Sequence, residues 1–410
     1  MKRVAVTGVG VLSPLGHSGP AVFEAARTGC SAIRRLDAPF ACRLVNALAA
    51  TVQFEGSDHF EPAKLRILDR MSQFAIVAAN RALADSSIDL TVLDRDRAGV
   101  FVGTGMGASH TLDDGYRILY GENSDRIKPL TVLMAMHNAA AAWIGMENQL
   151  RGPNLTYSTA CSSSAVAIGE AWLRVAHGEL ELAIAGGAEA PLSLGSLLAW
   201  ASLHTLASED PNDVSASCKP FARNRSGMVL GEGAAMLVLE SWDRAVDRGA
   251  VIHGEIIGYG VAMDVGHIAR PSVAGQAAAI RAALRAARLD ISEVDAINAH
   301  GTGTQANDGV ETAAIKSVFG VHAKRIPISA TKALHGHLLG ASGALECVLS
   351  LWAMQNRVAL PTMHLHLSDP ECDLDYVANV AREGLPIRTM LSNSFAFGGT
   401  DAVLAMRAAV

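Results

Sequence analysis

The chain has 410 residues, of which 50% are hydrophobic, and its formal net charge is −6. This length allows two large cores or one duplicated core, and the composition excludes disorder and low complexity. The acidic balance argues against broad nucleic-acid binding, although a local basic patch for an acidic protein partner stays possible. The N-terminus is too short and glycine-broken for a signal peptide, and no apolar run could span a bilayer, so we expect a soluble, cytoplasmic protein.

The cysteines are scattered along the chain and include no Cys-x-x-Cys pair. This spacing favours reduced thiols over a zinc site or a disulfide framework. We therefore expect neither a metal nor disulfide bonds. The six residues are Cys30, Cys42, Cys161, Cys218, Cys347 and Cys372.

Strand, glycine bend and helix alternate through the first 240 residues, which indicates α/β layering. A buried strand is predicted over residues 3–8, and the glycines that follow are predicted to turn the chain out of it. Residues 36–62 have weak periodicity and are predicted to form a surface loop. The other elements expected in this half are helices at 21–28, 62–85 and 130–148 and strands at 98–102, 182–186 and 236–240.

Basic residues lie near the start of the predicted helix 62–85. Lys64, Arg66 and Arg70 form either an ordinary solvated face or a docking patch for an acidic carrier protein. The choice between these two interpretations stays open at the level of the sequence.

Small and hydroxylated residues surround Cys161 in the segment 157–169, and a run of good helix formers follows it up to Gly178. Serines can cap the first turn of such a helix, and glycine is a common C-terminal stop. At a helix N-terminus the dipole favours a thiolate, so we expect a lowered pKa for Cys161 and a nucleophile suited to acyl carbonyls. The alternative is an inert buried cysteine.

The second half repeats the order of elements of the first, which predicts an internal duplication with halves 1–250 and 251–410. The expected elements are strands at 255–259, 294–299, 326–330, 389–394 and 402–407 and helices at 274–288, 308–319 and 340–356.

Three further motifs of the second half lie at strand ends or turns. His300 follows a predicted strand, where open α/β sheets place ligand crevices, although a histidine satisfied by a turn is the alternative. Lys332, His335 and His337 lie between a strand and a helix, and a zinc site there is disfavoured because no cysteine or carboxylate has ligand spacing. The glycine turn 393–401 is otherwise a tight hairpin with aromatic packing.

Four motifs occur in one order: Thr-Ala-Cys-Ser-Ser-Ser at 159–164, His-Gly-Thr-Gly-Thr at 300–304, the Lys332 to Gly343 segment, and Asn-Ser-Phe-x-Phe-Gly-Gly-Thr at 393–400. Together they resemble the β-ketoacyl-[acyl-carrier-protein] synthases of the elongating type I/II class over essentially the whole chain. This resemblance implies an α/β thiolase fold with duplicated βαβαβ halves in α-β-α-β-α layers, usually as a homodimer. It also implies an acyltransferase that takes part in fatty acid or related polyketide synthesis.

The resemblance assigns catalytic roles to specific residues. Cys161 matches the nucleophile that receives the acyl chain. His300 and His337 match the pair that binds the malonyl thioester and promotes loss of carbon dioxide. Lys332 matches the lysine that orders this site, and we expect it to act through the carboxylate of Glu311.

The resemblance also assigns the substrate contacts. Phe397, followed by Gly398 and Gly399, matches a mobile aromatic that gates Cys161. Thr302 and Thr304 would meet the phosphopantetheine arm of an acyl carrier protein, and Met106 would line the acyl pocket. No cofactor beyond that arm is expected.

Three residues depart from the commonest family pattern: His335, Arg270 and Asp401. They leave the core chemistry intact and keep the substrate assignment open. Two alternatives to a condensing enzyme are a non-catalytic partner subunit that sets chain length and a degradative thiolase. Such partners usually lack the cysteine, and thiolases carry a second cysteine in a Cys-x-Gly turn, which is missing here.

Overall fold

Ten strands form the framework of the protein in the computed structural model, which describes residues 1–409. Five belong to each half of the chain. They are β1 (Val4–Leu12), β2 (Ala98–Gly103), β3 (Asn154–Tyr157), β4 (Leu182–Glu189), β5 (Gly233–Ser241), β6 (Gly254–Met263), β7 (Ala296–Asn298), β8 (Ile328–Ser329), β9 (Thr389–Ser394) and β10 (Thr400–Arg407).

The strand order is the same in both halves. It runs β3-β2-β4-β5-β1 in the first half and β8-β7-β9-β10-β6 in the second. In each half the first two pairings are parallel and the last two are antiparallel. A short antiparallel pairing of β1 with β6 joins the two sheets. This repetition confirms the predicted duplication, while the division at residue 250 stays a prediction.

Thirteen α-helices are found in the described part of the chain, and the longer ones form three layers around the two sheets. They are α1 (Gly19–Arg27), α2 (Pro62–Leu65), α3 (Arg70–Ser86), α4 (Ser109–Tyr116), α5 (Thr131–Ala135), α6 (Ala139–Asn148), α7 (Ser163–Ala176), α8 (Leu194–Ser202), α9 (Trp242–Asp247), α10 (Val273–Ala287), α11 (Asp308–Phe319), α12 (Lys332–His335) and α13 (Ser342–Asn356). None of these helices is both long and apolar enough to cross a bilayer.

Three apolar cores define the layers. Helices α7 and α13 share one core with both sheets and therefore lie between them. Helices α3 and α6 cover the outer face of the first sheet, and α10 and α11 cover that of the second. The predicted α-β-α-β-α arrangement, and with it the predicted fold class, is confirmed.

The predicted turn after residue 8 is wrong, because β1 continues to Leu12. The two glycines of this strand allow helix α3 to approach instead. A Cβ on Gly8 would lie 2.1 Å from the Ala82 carbonyl oxygen, and one on Gly10 would lie 1.9 Å from that of Ala78. Glycine inside a strand here marks the close approach of another backbone.

Two predicted helices are each divided in the structure. The segment 62–85 forms α2 and α3, and the segment 130–148 forms α5 and α6. Helix α3 starts afresh because the Asp69 carboxylate caps it, accepting from Met71 N at 2.9 Å and from Thr111 N at 3.0 Å. The segment 36–62 is mostly irregular, as predicted. It contains Leu48–Ala49, which pairs with Arg34–Arg35 in a short antiparallel ribbon. A second short ribbon joins Val358–Ala359 to Arg382–Glu383.

Candidate active site

Cys161 lies in a tight turn immediately before α7 and is only 5% exposed. Burial raises the pKa of its thiol to about 12, and the nearby Lys332 charge and a backbone hydrogen bond from Phe397 offset this only in part. The expected lowering of the pKa by the helix dipole is therefore wrong, because desolvation outweighs it.

His337 contacts this thiol directly. Its Nε2 atom lies 3.1 Å from Cys161 Sγ. The backbone N–H of Leu339 donates to His337 Nδ1 at 3.1 Å, and the Ser342 hydroxyl lies 2.9 Å from the same nitrogen. Because a backbone N–H can only donate, Nδ1 must be the acceptor, and the proton of the neutral imidazole is on Nε2, facing the sulfur.

His300 approaches the same point from the end of β7. Its Nδ1 lies 3.4 Å from Lys332 Nζ, and an ammonium group can only donate. The His300 ring is thereby also held with its proton on Nε2. The two imidazole centroids are 5.5 Å apart at an interplanar angle of 80°.

Both imidazoles are neutral donors. Burial lowers the pKa of His300 and of His337 well below the usual value, and the Lys332 charge lowers both further. The site thus presents one thiol and two N–H groups without a cationic imidazolium.

Lys332 is held by Glu346 and not by Glu311. Its Nζ donates to Glu346 Oε1 at 2.5 Å and to the His300 carbonyl oxygen at 2.6 Å. Glu311 instead accepts from the backbone N–H of His300 at 2.8 Å and of Gly301 at 2.9 Å. The predicted lysine partner is therefore wrong, although both carboxylates position the His300 turn.

The Lys332–Glu346 pair carries a stability prediction. Both side chains are at most 1% exposed, and burial raises the pKa of Glu346 to about 7, so at pH 8 its carboxylate needs the ammonium group. We expect Lys332→Met to lower the free energy of unfolding by about 3–5 kcal/mol at pH 8, because it leaves the buried Glu346 carboxylate without a partner. Urea unfolding measures this, and Lys332→Met/Glu346→Gln should recover much of the loss. A single variant as stable as the native protein would contradict the pairing.

Cys161, His300 and His337 form the one group of potential metal ligands in residues 1–409, with ligand atoms within 4.8 Å of one another. Ligation through Nε2 would need a lone pair there. The donors that face both Nδ1 atoms place protons on Nε2 instead. The arrangement fits hydrogen-bond donation to a substrate better than it fits a metal ion.

The three residues line one cavity that opens to the surface. The side chains of Cys161, His300 and His337 are buried at one end of it, whereas the segment 267–270 is largely exposed at its mouth. Thr302, Thr304 and Phe397 line the cavity between them. Met106 is not in this lining but packs in the apolar cluster around Cys161. Trp200, which the sequence analysis missed, stacks on Phe397 with ring centroids 6.0 Å apart.

The Phe397 turn is tied to the loop at the mouth. Gly398 N donates to the Ile268 carbonyl oxygen and Asp264 N donates to that of Gly399, both at 2.7 Å. Gly399 N is also bonded internally, to Ala396 O. Among residues 397–399, the N–H of Phe397 is thus the one that faces the sulfur of Cys161.

The three departures from the family pattern lie in different surroundings. His335 is fully buried beside the Thr331 hydroxyl (3.0 Å) and does not line the cavity. Arg270 is exposed at the mouth of the cavity. Asp401 also lines the cavity and is 3% exposed; one carboxylate oxygen accepts from Ala396 N at 3.2 Å, and the other is unbonded.

Asp401 should make stability depend on pH. Burial raises its pKa from 3.8 to about 7, and the Asp264 and Glu311 carboxylates raise it further. Between these values the folded protein holds a proton that the unfolded chain has lost, so Asp401 makes stability fall as pH rises. We expect Asp401→Asn to stabilise the protein at pH 8, by at most about 4 kcal/mol, and to have no such effect at pH 4. Urea unfolding at the two pH values measures this; an equal effect at both would contradict it.

The basic residues near α2 and α3 are only partly available. Arg70 is paired with the buried Glu232 at 2.7 Å, and Lys64 is paired with Glu147. Arg66 is exposed, and no ion pair is found for it within residues 1–409. The predicted docking patch therefore loses Arg70, because its guanidinium is held by the buried Glu232 carboxylate.

A second buried carboxylate near the site was also missed. Glu189 ends β4 and accepts hydrogen bonds from the 104–107 loop and from Gly340 N, which lies beyond His337. Burial raises its pKa to about 7, and these donors oppose the rise. The only sequence signal was an acidic residue at the end of an apolar strand.

Known proteins with the same architecture support this description. Family models described as "Beta-ketoacyl synthase, N-terminal domain" and "Beta-ketoacyl synthase, C-terminal domain" match residues 1–245 and 253–366. The chain is 37% identical to "3-oxoacyl-[acyl-carrier-protein] synthase 2" of Staphylococcus aureus (strain COL) over 99% of this chain and 98% of that protein. It is 39% identical to "Nodulation protein E" of Rhizobium sp. (strain N33) over 99% of each.

A solved structure gives the same result. A type II polyketide acyl-carrier protein in complex with its ketosynthase bound to the hexaketide matches with a TM-score of 0.92, at 30% identity and over 100% of both chains. Family models that cover most of the chain, relatives of full length and a matching fold agree with the geometry of the site. The chain belongs to the beta-ketoacyl synthase family of condensing acyltransferases.

Proposed function

We propose that this protein is an elongating β-ketoacyl-[acyl-carrier-protein] synthase, which lengthens an acyl chain by Claisen condensation in fatty acid or related polyketide synthesis. One observation carries the proposal: the thiol of Cys161 and the Nε2–H groups of His300 and His337 meet in one cavity. A decarboxylative condensation needs a covalently held acyl group beside donors for a developing enolate.

In the first step Cys161 takes the acyl group from the carrier. Its sulfur attacks the thioester carbonyl, the carrier's sulfur leaves, and the thiol proton passes to that leaving group. The N–H groups of Cys161 and Phe397 would hold the oxyanion of the intermediate. The donated Nε2–H of His337 stabilises the sulfur while it carries negative charge. Because acyl-enzyme forms before the second substrate binds, we expect ping-pong kinetics.

In the second step a malonyl thioester enters the same cavity. Its thioester oxygen accepts from His300 and His337 as the bond to the carboxylate breaks, carbon dioxide leaves, and an enolate remains. The enolate carbon attacks the acyl group on Cys161, the bond from that acyl group to the cysteine sulfur breaks, and the released thiolate takes up one proton from solvent water. Neutral imidazoles suit this step, because a cationic ring would hold the carboxylate that must leave.

The direct test uses intact-protein mass spectrometry. The protein is incubated with acyl-carrier, and we expect a mass increase equal to one acyl group, located on Cys161. Addition of malonyl-carrier should remove this adduct and yield carbon dioxide and a β-ketoacyl product. Persistent absence of an adduct across acyl chains of different length would reject the proposal and favour a non-catalytic partner subunit.

The complete catalytic set disfavours that partner subunit. A degradative thiolase is disfavoured as well, because Cys161 is the one cysteine that lines the cavity within residues 1–409. Cys347 packs within α13 against Met406 Sδ, and Cys218 faces the Thr302 carbonyl oxygen.

The proposed partner is an acyl carrier protein that delivers both substrates on its phosphopantetheine arm, and no resident cofactor is proposed. The carrier-bound ketosynthase of the same fold supports this partner. The cytoplasm remains the proposed location.

We also propose a homodimer, formed through the edge of the first sheet. Strand β3 lies at that edge, with Leu155 37% exposed. Exposed apolar side chains of Val132, Leu133 and Met146 belong to helices that precede this strand in the sequence. An edge strand with apolar surroundings is suited to pair with a second copy. Sedimentation velocity measures the mass, and replacing Leu155 by lysine should shift it towards the monomer.

A further inference from the structure

Glu189 carries no role in the reaction described above, although its carboxylate lies between two active-site loops. Oε2 accepts from Gly105 N at 2.6 Å and from Gly340 N at 2.9 Å. Oε1 accepts from Met106 N at 3.0 Å and from the Thr104 hydroxyl at 3.1 Å. The side chain is fully buried. Four donors on one buried carboxylate form a specific arrangement that no uncharged side chain reproduces.

The two loops meet directly at this point. A Cβ on Gly340 would lie 2.3 Å from Gly105 N and 2.6 Å from the carbonyl carbon of Thr104. The loops therefore touch backbone to backbone, and they present N–H groups to the same carboxylate. Without Glu189, the N–H groups of Gly105 and Gly340 would face each other with no acceptor between them.

The second loop sets the position of His337. Gly340 follows Leu339, whose N–H donates to His337 Nδ1. The opposite ring nitrogen lies 3.1 Å from Cys161 Sγ. A continuous series of contacts therefore links the 104–107 loop to Cys161. It passes through the Glu189 carboxylate, the backbone of 339–340 and the His337 ring.

We propose that Glu189 is a positioning residue that holds His337 against Cys161 and links this pair to the loop carrying Met106. The link to Met106 rests on the proposed function, in which that loop borders the acyl chain. The effect on the Cys161–His337 pair rests on the contacts alone. An acyl chain that displaces the Met106 loop would thereby shift the His337 imidazole, because the Glu189 carboxylate bonds to both loops.

The test is alkylation of Cys161 by iodoacetamide, followed by mass spectrometry of its peptide across pH 6–10. In Glu189→Gln the amide has nearly the same shape, but its NH₂ group faces backbone N–H groups. We expect the alkylation rate at pH 8 to fall roughly tenfold, because misplacing a group by about 1 Å slows a reaction by up to about 10²-fold. The pH at which alkylation sets in should rise as well. In condensation assays kcat should fall more than the KM for malonyl-carrier rises.

Two further variants complete the design. Glu240→Gln is the matched control, because Glu240 is also fully buried but lies far from the site. On strand β5 it stands opposite Leu182, at the other end of β4 from Glu189. It should leave the alkylation profile unchanged. Glu189→Asp keeps the charge but is too short to bridge both loops, so it should give an intermediate rate. This variant decides the matter if Glu189→Gln does not fold.

The outcomes are distinct. A folded Glu189→Gln protein, or failing that Glu189→Asp, with the native alkylation profile overturns the proposal, even if condensation is slower. If the native protein shows no condensation with any carrier substrate, the proposed function fails. The alkylation comparison then still decides the role of Glu189.

Discussion

Replacing Cys161 by alanine should abolish condensation while leaving decarboxylation of malonyl-carrier measurable. The acyl group then has no covalent site, and we expect the rate of β-ketoacyl formation to fall by at least about 10³-fold. His300 and His337 keep their Nε2–H groups, because Lys332 and Leu339 rather than the thiol fix their tautomers. Carbon dioxide release and product formation, measured in the same reaction, should therefore separate.

Cys347→Ala provides the control for this variant. Cys347 is another fully buried thiol with a pKa raised to about 12, but it lies within α13 and away from the cavity. It should load an acyl group on Cys161 and condense at close to the native rate. Full condensing activity in Cys161→Ala would show that the sulfur of Cys161 is not the acyl carrier site.

Short motifs predict the three side chains that the structure brings together in one cavity. Cys161, His300 and His337 each stand in a motif at the end of a strand or the start of a helix, and the duplicated fold brings those ends together. The alternation of elements likewise predicted the layers. The motifs and the alternation of strands and helices describe local structure. The duplicated fold then determines which strand ends and helix starts lie next to each other.

The partners of these groups could not be predicted in the same way. Glu311 and Glu346 are both buried carboxylates in the first two turns of helices, and only the packing of α13 decides that Glu346 meets Lys332. The sequence predicts the wrong direction for the pKa shift of Cys161, because a helix terminus is visible in a sequence whereas complete desolvation is not. Gly8 and Gly10 indicate a turn in the sequence, whereas in the structure they allow the close approach of α3, and the same pair of glycines fits both.

Replacing His300 and replacing His337 should have different effects. His300→Ala deletes one donor to the enolate oxygen, and we expect decarboxylation to slow by about 10²–10³-fold. His300 makes no hydrogen bond to the Cys161 thiol in the described chain, so acylation of Cys161 should stay near the native rate. His337→Ala removes a donor that also contacts the thiol, so both acylation and decarboxylation should slow.

His335→Ala is the matched control for both variants. It removes an equally buried imidazole two residues from His337 that lies outside the cavity lining. Carbon dioxide release gives the decarboxylation rate, and intact mass gives the acylation rate. Equal slowing of both rates in His300→Ala would contradict its role as a dedicated enolate donor.

The pH dependence of the native enzyme tests the same point without a substitution. The pKa values of His300 and His337 both lie well below 6.5, chiefly through burial. Both rings therefore remain neutral donors as pH falls from 8 to 6, and neither gains the charge that would hold the malonyl carboxylate in place. We therefore expect no inflection near pH 6.5 that depends on His300. An inflection from the cavity-lining Asp401 carboxyl, whose pKa burial raises to about 7, would persist in His300→Ala. An inflection there that disappears in His300→Ala would mean that this ring titrates as an exposed histidine does, and the donor mechanism would then have to rest on His337 alone.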